Sequence, residues 1–183
     1  MKFERDQLFT VGHSNREEAD FLALLRGARI ELIVDVRRHP SSRRLPQFNR
    51  SALAASLKEA GIDYEWMGEA LGGRRDPDPE SANDAWVDEQ ARGYADHMAS
   101  EEFSAALGEL ERLAAARRTA MMCAEADWHQ CHRRLIADAV LARGGSVLHL
   151  RETGELEPHE LTESAHVDGG RVTYPAAQTS LDV

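Results

Sequence analysis

Short apolar runs alternate with helix-period segments along most of this chain, and that alternation limits the folds open to it. Strand-like runs occur at Leu8–Val11, Glu31–Val36, Ile62–Trp66, Thr119–Met122 and Ser146–Leu150. Between them apolar residues recur at helical intervals: Ala19, Phe21, Leu22, Leu24 and Leu25; then Leu53, Leu57 and Ala60; then Phe103, Ala106, Leu107, Leu110 and Leu113; and finally within Arg134–Leu141. Strands separated by helices require crossover connections, which favour a parallel sheet with helices over its faces. The expected fold is α/β: a single three-layer domain with a mostly parallel central sheet of about five strands, Rossmann-like without the dinucleotide fingerprint. The first two strands and the helix between them predict a βαβ unit whose strands pair directly. Ser14 or Asn15 is expected to cap the first helix and Gly27 to end it, while Gly61 and Gly144-Gly145 end two later ones. Trp86–Met98 is expected to be helical in part. Residues 76–83, with Pro77 and Pro79 among acidic side chains, suggest an exposed excursion or a lid. The domain is expected to span 1–183, with its core at about 8–150 and a less regular tail at 151–183 that adds one short edge element.

A chain of 183 residues can bury a core without a disulfide or structural metal. Its 32 acidic residues outnumber the 22 basic ones, a net charge of −10, so extended nucleic acid is not an expected partner. Arginines nevertheless crowd one window, at Arg37, Arg38, Arg43, Arg44 and Arg50. The charged residues Lys2, Glu4, Arg5 and Asp6 do not suit a signal peptide, and no apolar stretch is long enough to cross a bilayer, so no membrane role is expected. The two cysteines are expected to be free thiols in a cytoplasmic protein. No heptad or long apolar helix face defines an oligomeric state.

In a parallel sheet the crossover strands end on one side, which brings together segments far apart in sequence. Here those segments are Gly12-His13-Ser14-Asn15, Arg37-Arg38-His39, Met67-Gly68-Glu69 and Cys123-Ala124-Glu125. Cys123 is the first candidate nucleophile, since a thiol near helix N-termini and arginines is expected to ionise more easily. Glu125 could handle a proton, orient a base, or pair with Arg133. His13 is the other acid–base candidate, because an unperturbed imidazole titrates near neutrality; its alternative is a hydrogen bond to a loop carbonyl. Cys131, His132 and Arg133 open a helix whose free N–H groups favour an anion, and Arg37, Arg38 and Arg133 could add guanidinium contacts.

Other chemistries fit less well. A phosphatase-type loop needs an arginine six positions after its cysteine, where this chain has His129. Cys123, His129, Cys131 and His132 match no standard zinc spacing, and no metal is expected. Gly72-Gly73-Arg74-Arg75 lacks the spacing and lysine of a phosphate-binding loop, so no nucleotide cofactor is expected. Phe48, Trp66, Trp86, Tyr94 and Trp128 could stack on a base or serve as core.

The runs TVGHSN at 10–15, LIVDVRRHPSSRR at 32–44, PQFNR at 46–50, EALGG at 69–73 and MCAEADWHQCHRRLIA at 122–137 closely resemble the family called domain of unknown function 488. The resemblance runs through His149 and implies a compact α/β domain with a mostly parallel sheet. The family's characteristic polar positions fall here on Gly12, His13, Ser14, Asn15, Asp35, Arg37, Arg38, Phe48, Asn49, Arg50, Gly72, Gly73, Cys123, Glu125, Cys131, His132 and Arg133. This chain carries one extra residue in the run that starts at Glu69.

The expectation from all of this is a small enzyme in which Cys123, Glu125 and His13 do the chemistry. Gly12, Ser14, Asn15, Arg37, Arg38, Asn49, Arg50, Glu69, Cys131, His132 and Arg133 would contact the ligand, a small phosphorylated or carboxylated molecule such as a nucleotide or nucleobase derivative. The alternatives are a non-catalytic module that senses the same anion, and a metal-binding protein.

Overall fold

The computed structural model describes residues 7–177. The charged start at Lys2–Asp6 and the last six residues of the tail lie outside that range.

Five parallel strands form the centre: β1 (Gln7–Gly12), β2 (Leu32–Asp35), β3 (Asp63–Trp66), β4 (Thr119–Cys123) and β5 (Ser146–Leu150). A sixth strand, β6 (Leu156–Pro158), pairs antiparallel with β5, so the sheet order is β3-β2-β4-β1-β5-β6. The expected direct pairing of β1 with β2 is replaced by insertion of β4, which hydrogen-bonds to both. That wedge puts the apolar run Thr119–Cys123 at the sheet's centre, where every one of its residues is buried.

Alternation along the strands sorts side chains to two faces. Phe9, Val11, Ile33, Ala120 and Met122 pack against helices α1 (Glu18–Gly27) and α2 (Arg50–Glu59) through Phe21, Leu25, Leu53 and Leu57. Leu8, Leu32, Val34, Met121 and Cys123 face the other way. There they meet Tyr94 of α4 (Glu89–His97), Phe103, Leu107 and Leu110 of α5 (Glu101–Ala116), and Leu135 and Ile136 of α6 (Arg133–Ala142). A four-residue turn of helix, α3 (Gly68–Leu71), follows β3.

Caps explain several boundaries. Ser100 accepts from the Phe103 N–H at the start of α5, and Asp88 accepts from the Gln90 N–H at the start of α4. Helix α1, by contrast, begins after Glu17 with no side-chain cap. Ser14 and Asn15, expected to cap it, stop short because Ser14 turns the chain in a left-handed conformation (φ 52°) and its N–H is held by the Ala124 carbonyl.

Residues 76–83 run mostly over the surface, the exposed excursion expected of them. They are tied down by one carboxylate: Asp96 accepts from the Asp78 N–H, the Ser81 hydroxyl and the Asn83 amide. The tail adds one short strand, β6, to the edge of the sheet, and β7 (His166–Asp168) and β8 (Arg171–Thr173) form a separate two-stranded hairpin. Val172 and Tyr174 then enter the core beside α6. No helix among the described residues is long and apolar enough to cross a membrane.

Candidate functional site

β1 and β4 lie side by side, yet the chain leaves β1 for α1 on one face and leaves β4 for α6 on the other. Such divergence opens a crevice at the carboxyl edge of a parallel sheet. Backbone bonds extend the pairing past the strand ends: the His13 N–H donates to the Cys123 carbonyl and the Val36 N–H to the Met122 carbonyl. The loop after β4 folds back so closely over β1 that a Cβ on Gly12 would lie 1.8 Å from the Glu125 carbonyl oxygen. Gly12 is thus a packing requirement.

Arg133 organises the floor of this crevice. It opens α6, is 1% exposed, and turns its guanidinium inward to three acceptors. Nε donates to Cys123 Sγ at 3.0 Å, Nη1 to Thr10 Oγ1 at 3.0 Å and Nη2 to the Glu125 carbonyl at 2.5 Å. Its backbone N–H donates to Cys131 Sγ at 3.5 Å. Among the described residues no carboxylate forms a salt bridge with it. A buried cation of this kind calls for an anion nearby, and the two sulfurs are the groups placed to supply one.

The thiols, both free, respond in opposite directions. Burial and hydrogen bonding with Cys131 push the Cys123 thiol well above its ordinary range. Burial also opposes ionisation of Cys131, but the Cys123 hydrogen bond, His132 and Arg133 outweigh it and hold Cys131 well below that range. The sequence reading places the easily ionised thiol at Cys123; here burial raises that thiol, and the one that is lowered is Cys131, at the entrance to α6. His132 completes the group. Its Nε2 donates to the Val36 carbonyl at 3.0 Å, and its Nδ1 lies 3.7 Å from Cys131 Sγ, in reach of that thiol's proton.

Behind Arg133 runs a buried chain of hydrogen bonds that the sequence reading did not include. Thr10 Oγ1 meets His149 Nδ1 at 2.7 Å, His149 Nε2 meets His159 Nδ1 at 2.9 Å, and His159 Nε2 meets Asp138 Oδ1 at 2.8 Å. The Tyr174 hydroxyl and the Thr162 N–H also donate to Asp138. With guanidinium at one end and carboxylate at the other, every donor points toward Asp138, which sets the tautomer of both rings. Burial above all, with the Arg133 charge beside it, lowers His149 to about 2, so its ring is neutral. Trp128 stacks flat on it at 4.0 Å. The available signal was chemical: an Asp on the apolar face of α6 and a His inside strand β5 each need a buried partner.

Arg37 and His13 form a second closed unit. Asp35, 0% exposed, accepts from Arg37 Nε at 2.9 Å and Nη2 at 2.7 Å, and from the Tyr64 hydroxyl. Arg37 Nη1 donates to His13 Nε2 at 3.1 Å, while His13 Nδ1 donates to the Ser14 carbonyl at 2.7 Å. Burial, reinforced by Arg37, lowers His13 to about 4. The His13 ring, stacked on Phe48, is engaged at both nitrogens, one of them by a loop carbonyl as the alternative reading has it.

A cleft of about 710 Å³ opens above this floor. Arg37, Arg38, Arg74 and Arg134 line it with His39, His129 and His132, against the two carboxylates Asp88 and Glu125. Cys123 and Cys131 reach its base, and Trp86 and Tyr94 form part of its wall. Arg134 lies over Trp86 at 5.2 Å, and the Trp86 Nε1 donor is buried without a partner.

The candidate residues divide accordingly. Arg37, Arg38, Cys123, Glu125, Cys131 and His132 line the cleft. Arg133 sits beneath it, and Glu125 meets Arg133 through its carbonyl while its carboxylate is exposed. Gly12, His13, Ser14 and Asn15 lie outside the lining, as does Glu69, an exposed residue of α3. Asn49 and Arg50 border a separate shallow hollow with Tyr64 and Trp66, where Arg50 covers the Trp66 ring at 4.4 Å. Of the five aromatics considered for stacking, Trp86 and Tyr94 reach the cleft. Among the described residues no group of three or more His, Cys, Asp or Glu is placed to hold a metal ion.

A family model described as Domain of unknown function DUF488 matches residues 18–140, from α1 into α6. No curated protein and no solved structure matches the chain.

Proposed function

Since this chain belongs to the DUF488 family, we propose a function from its cleft: a small thiol-dependent enzyme acting on a phosphorylated or carboxylated small molecule. Carrying this reading is one juxtaposition, four arginines around a cleft whose base holds a Cys131–His132–Arg133 turn, in a chain of net charge −10. A cleft of about 710 Å³ is of metabolite size. The excess of guanidinium over carboxylate on its walls favours an anion, and Trp86 and Tyr94 suit an aromatic portion such as a nucleobase.

In this reading Cys131 is the nucleophile. Arg133, through its backbone N–H and buried charge, favours the thiolate, and His132 Nδ1 takes or returns the proton. Arg38 and Arg134 hold the substrate's anionic group, whereas Arg37 is committed to Asp35 and His13 and keeps the β2 end rigid. Free thiols persist in reducing compartments, so we assign the protein to the cytoplasm. Thermal shift of the reduced protein with inorganic phosphate and with nucleoside monophosphates tests the anion site. Stabilisation by these anions that is lost in Arg38→Ala and Arg134→Ala is the expected result; no shift, or a shift that both variants retain, rejects the cleft as the site.

A further inference from the structure

The cleft base holds two sulfurs and one shared donor. Arg133 donates to Cys123 Sγ through Nε and to Cys131 Sγ through its backbone N–H, so both thiols sit against one residue. Both also line the cleft. They come from different elements, the end of β4 and the entrance to α6, and converge on Arg133. Cys131 is the more exposed of the two and has His132 Nδ1 3.7 Å from its sulfur to exchange a proton with, whereas Cys123 lies deeper, against the Arg133 guanidinium. That is the division of labour of an attacking and a resolving cysteine.

We propose that Cys131 and Cys123 are a peroxidatic pair: Cys131 reduces a small hydroperoxide, and Cys123 then closes a disulfide with it across the cleft base. The inference rests on the reading of Cys131 as the thiolate of the cleft, and not on the identity of the anion. The Cys131 thiolate attacks the terminal oxygen of R–O–O–H. The O–O bond breaks, Cys131 becomes a sulfenic acid, and the departing alkoxide takes up a proton as the alcohol. The Cys123 sulfur then attacks the Cys131 sulfur; the S–O bond breaks, and hydroxide leaves with the Cys123 proton as water. Two thiols have been oxidised to one disulfide, and the hydroperoxide has been reduced to alcohol and water. Two equivalents of a low-molecular-weight thiol return the pair to the dithiol and leave as their own disulfide.

Burial and charge choose the oxidant. Cys131 is 9% exposed and Cys123 3%, so the reagent must be small. The disulfide would leave Arg133 buried without an anion, which destabilises the oxidised form. A pair whose reduced form is favoured needs a strong oxidant and is easily re-reduced by thiols. A small hydroperoxide meets both conditions, and a bulky disulfide meets neither.

The test treats the reduced full-length protein with equimolar hydrogen peroxide and maps the products by mass spectrometry. Expected are loss of two hydrogens, a Cys123–Cys131 linked peptide, and return to the dithiol with glutathione. In Cys123→Ser the sulfenic acid on Cys131 persists and is trapped by dimedone. Peroxide that leaves both thiols intact, oxidises Cys131 no further than a glutathione-resistant product, or oxidises Cys123 first overturns the proposal. The wild-type map decides this even if a variant does not fold. Site-resolved alkylation of the same sample separates the failures: a reactive Cys131 without a disulfide defeats the peroxidatic pair alone, whereas an unreactive Cys131 defeats the thiolate reading as well.

Discussion

Asp138→Asn is the sharpest perturbation of the network behind the cleft. The Asp138 carboxylate is 0% exposed and accepts from His159 Nε2 at 2.8 Å, the Thr162 N–H at 3.0 Å and the Tyr174 hydroxyl at 2.7 Å. A buried bond to a charged group contributes about 1.5–3 kcal/mol and a neutral one about 0.5–1.5. The amide keeps the shape and loses the charge on all three, so the variant should be about 3–4 kcal/mol less stable, a large share of a typical total of about 5–15. Urea denaturation measures it. The pH dependence supplies a second signature: burial opposes the charged form, but the bonds from His159, Thr162 and Tyr174 outweigh it and lower the Asp138 pKa. A depressed carboxylate contributes stability that is fully present above the unfolded value of about 3.9 and lost as pH falls through the folded value. Wild type and variant should therefore differ most above pH 5 and converge in stronger acid. A variant within about 0.5 kcal/mol of wild type at pH 7, or a gap that does not change with pH, would refute the reasoning.

His13, held at about 4 by burial and then by Arg37, should stay neutral through the physiological range. Its ring proton shifts in an NMR titration should be flat between pH 8 and pH 6; a midpoint near 6.5 contradicts the structure. Because the folded value lies below the unfolded one of about 6.5, this residue's contribution to stability is intact above pH 6.5 and is lost as pH falls from there toward 4. Gly12→Ala would drive a methyl group into the Glu125 carbonyl and the Ala126 Cα, backbone that cannot rotate aside. A loss of about 2 kcal/mol or more is expected in thermal denaturation, and an unchanged melting temperature would show that the loop after β4 does not press on β1.

The parallel sheet was legible because its strands carry their own signal. Thr119–Cys123 is uninterrupted by charge, and Phe103, Leu107 and Leu110 repeat at helical spacing, so local pattern and burial agree. Strand order was not legible: nothing local to Leu8–Val11 or Leu32–Asp35 reports that β4 separates them. The tail strands are three residues each, too short for alternation to register, and Tyr174 is buried by contacts made across the fold. Within the cleft, strand-end placement found Arg37, Arg38 and Cys123. The different surroundings of the two thiols were hidden because they depend on where the Arg133 side chain points. Arg133 read as a free arm for an anion, yet it turns under the sheet and spends its guanidinium on Cys123, Thr10 and Glu125. His149 and Asp138 looked like ordinary members of a strand and a helix until the fold brought them into one hydrogen-bonded line.

Site-resolved alkylation of the native, reduced protein by iodoacetamide, followed as a function of pH with and without inorganic phosphate, tests the account at its centre. The account predicts that Cys131 reacts first, that its rate is already near plateau at pH 7, and that phosphate slows it, while Cys123 stays unmodified until the protein unfolds. Cys123 reacting first, or both thiols gaining reactivity together near the ordinary thiol value of about 8.5, would contradict it.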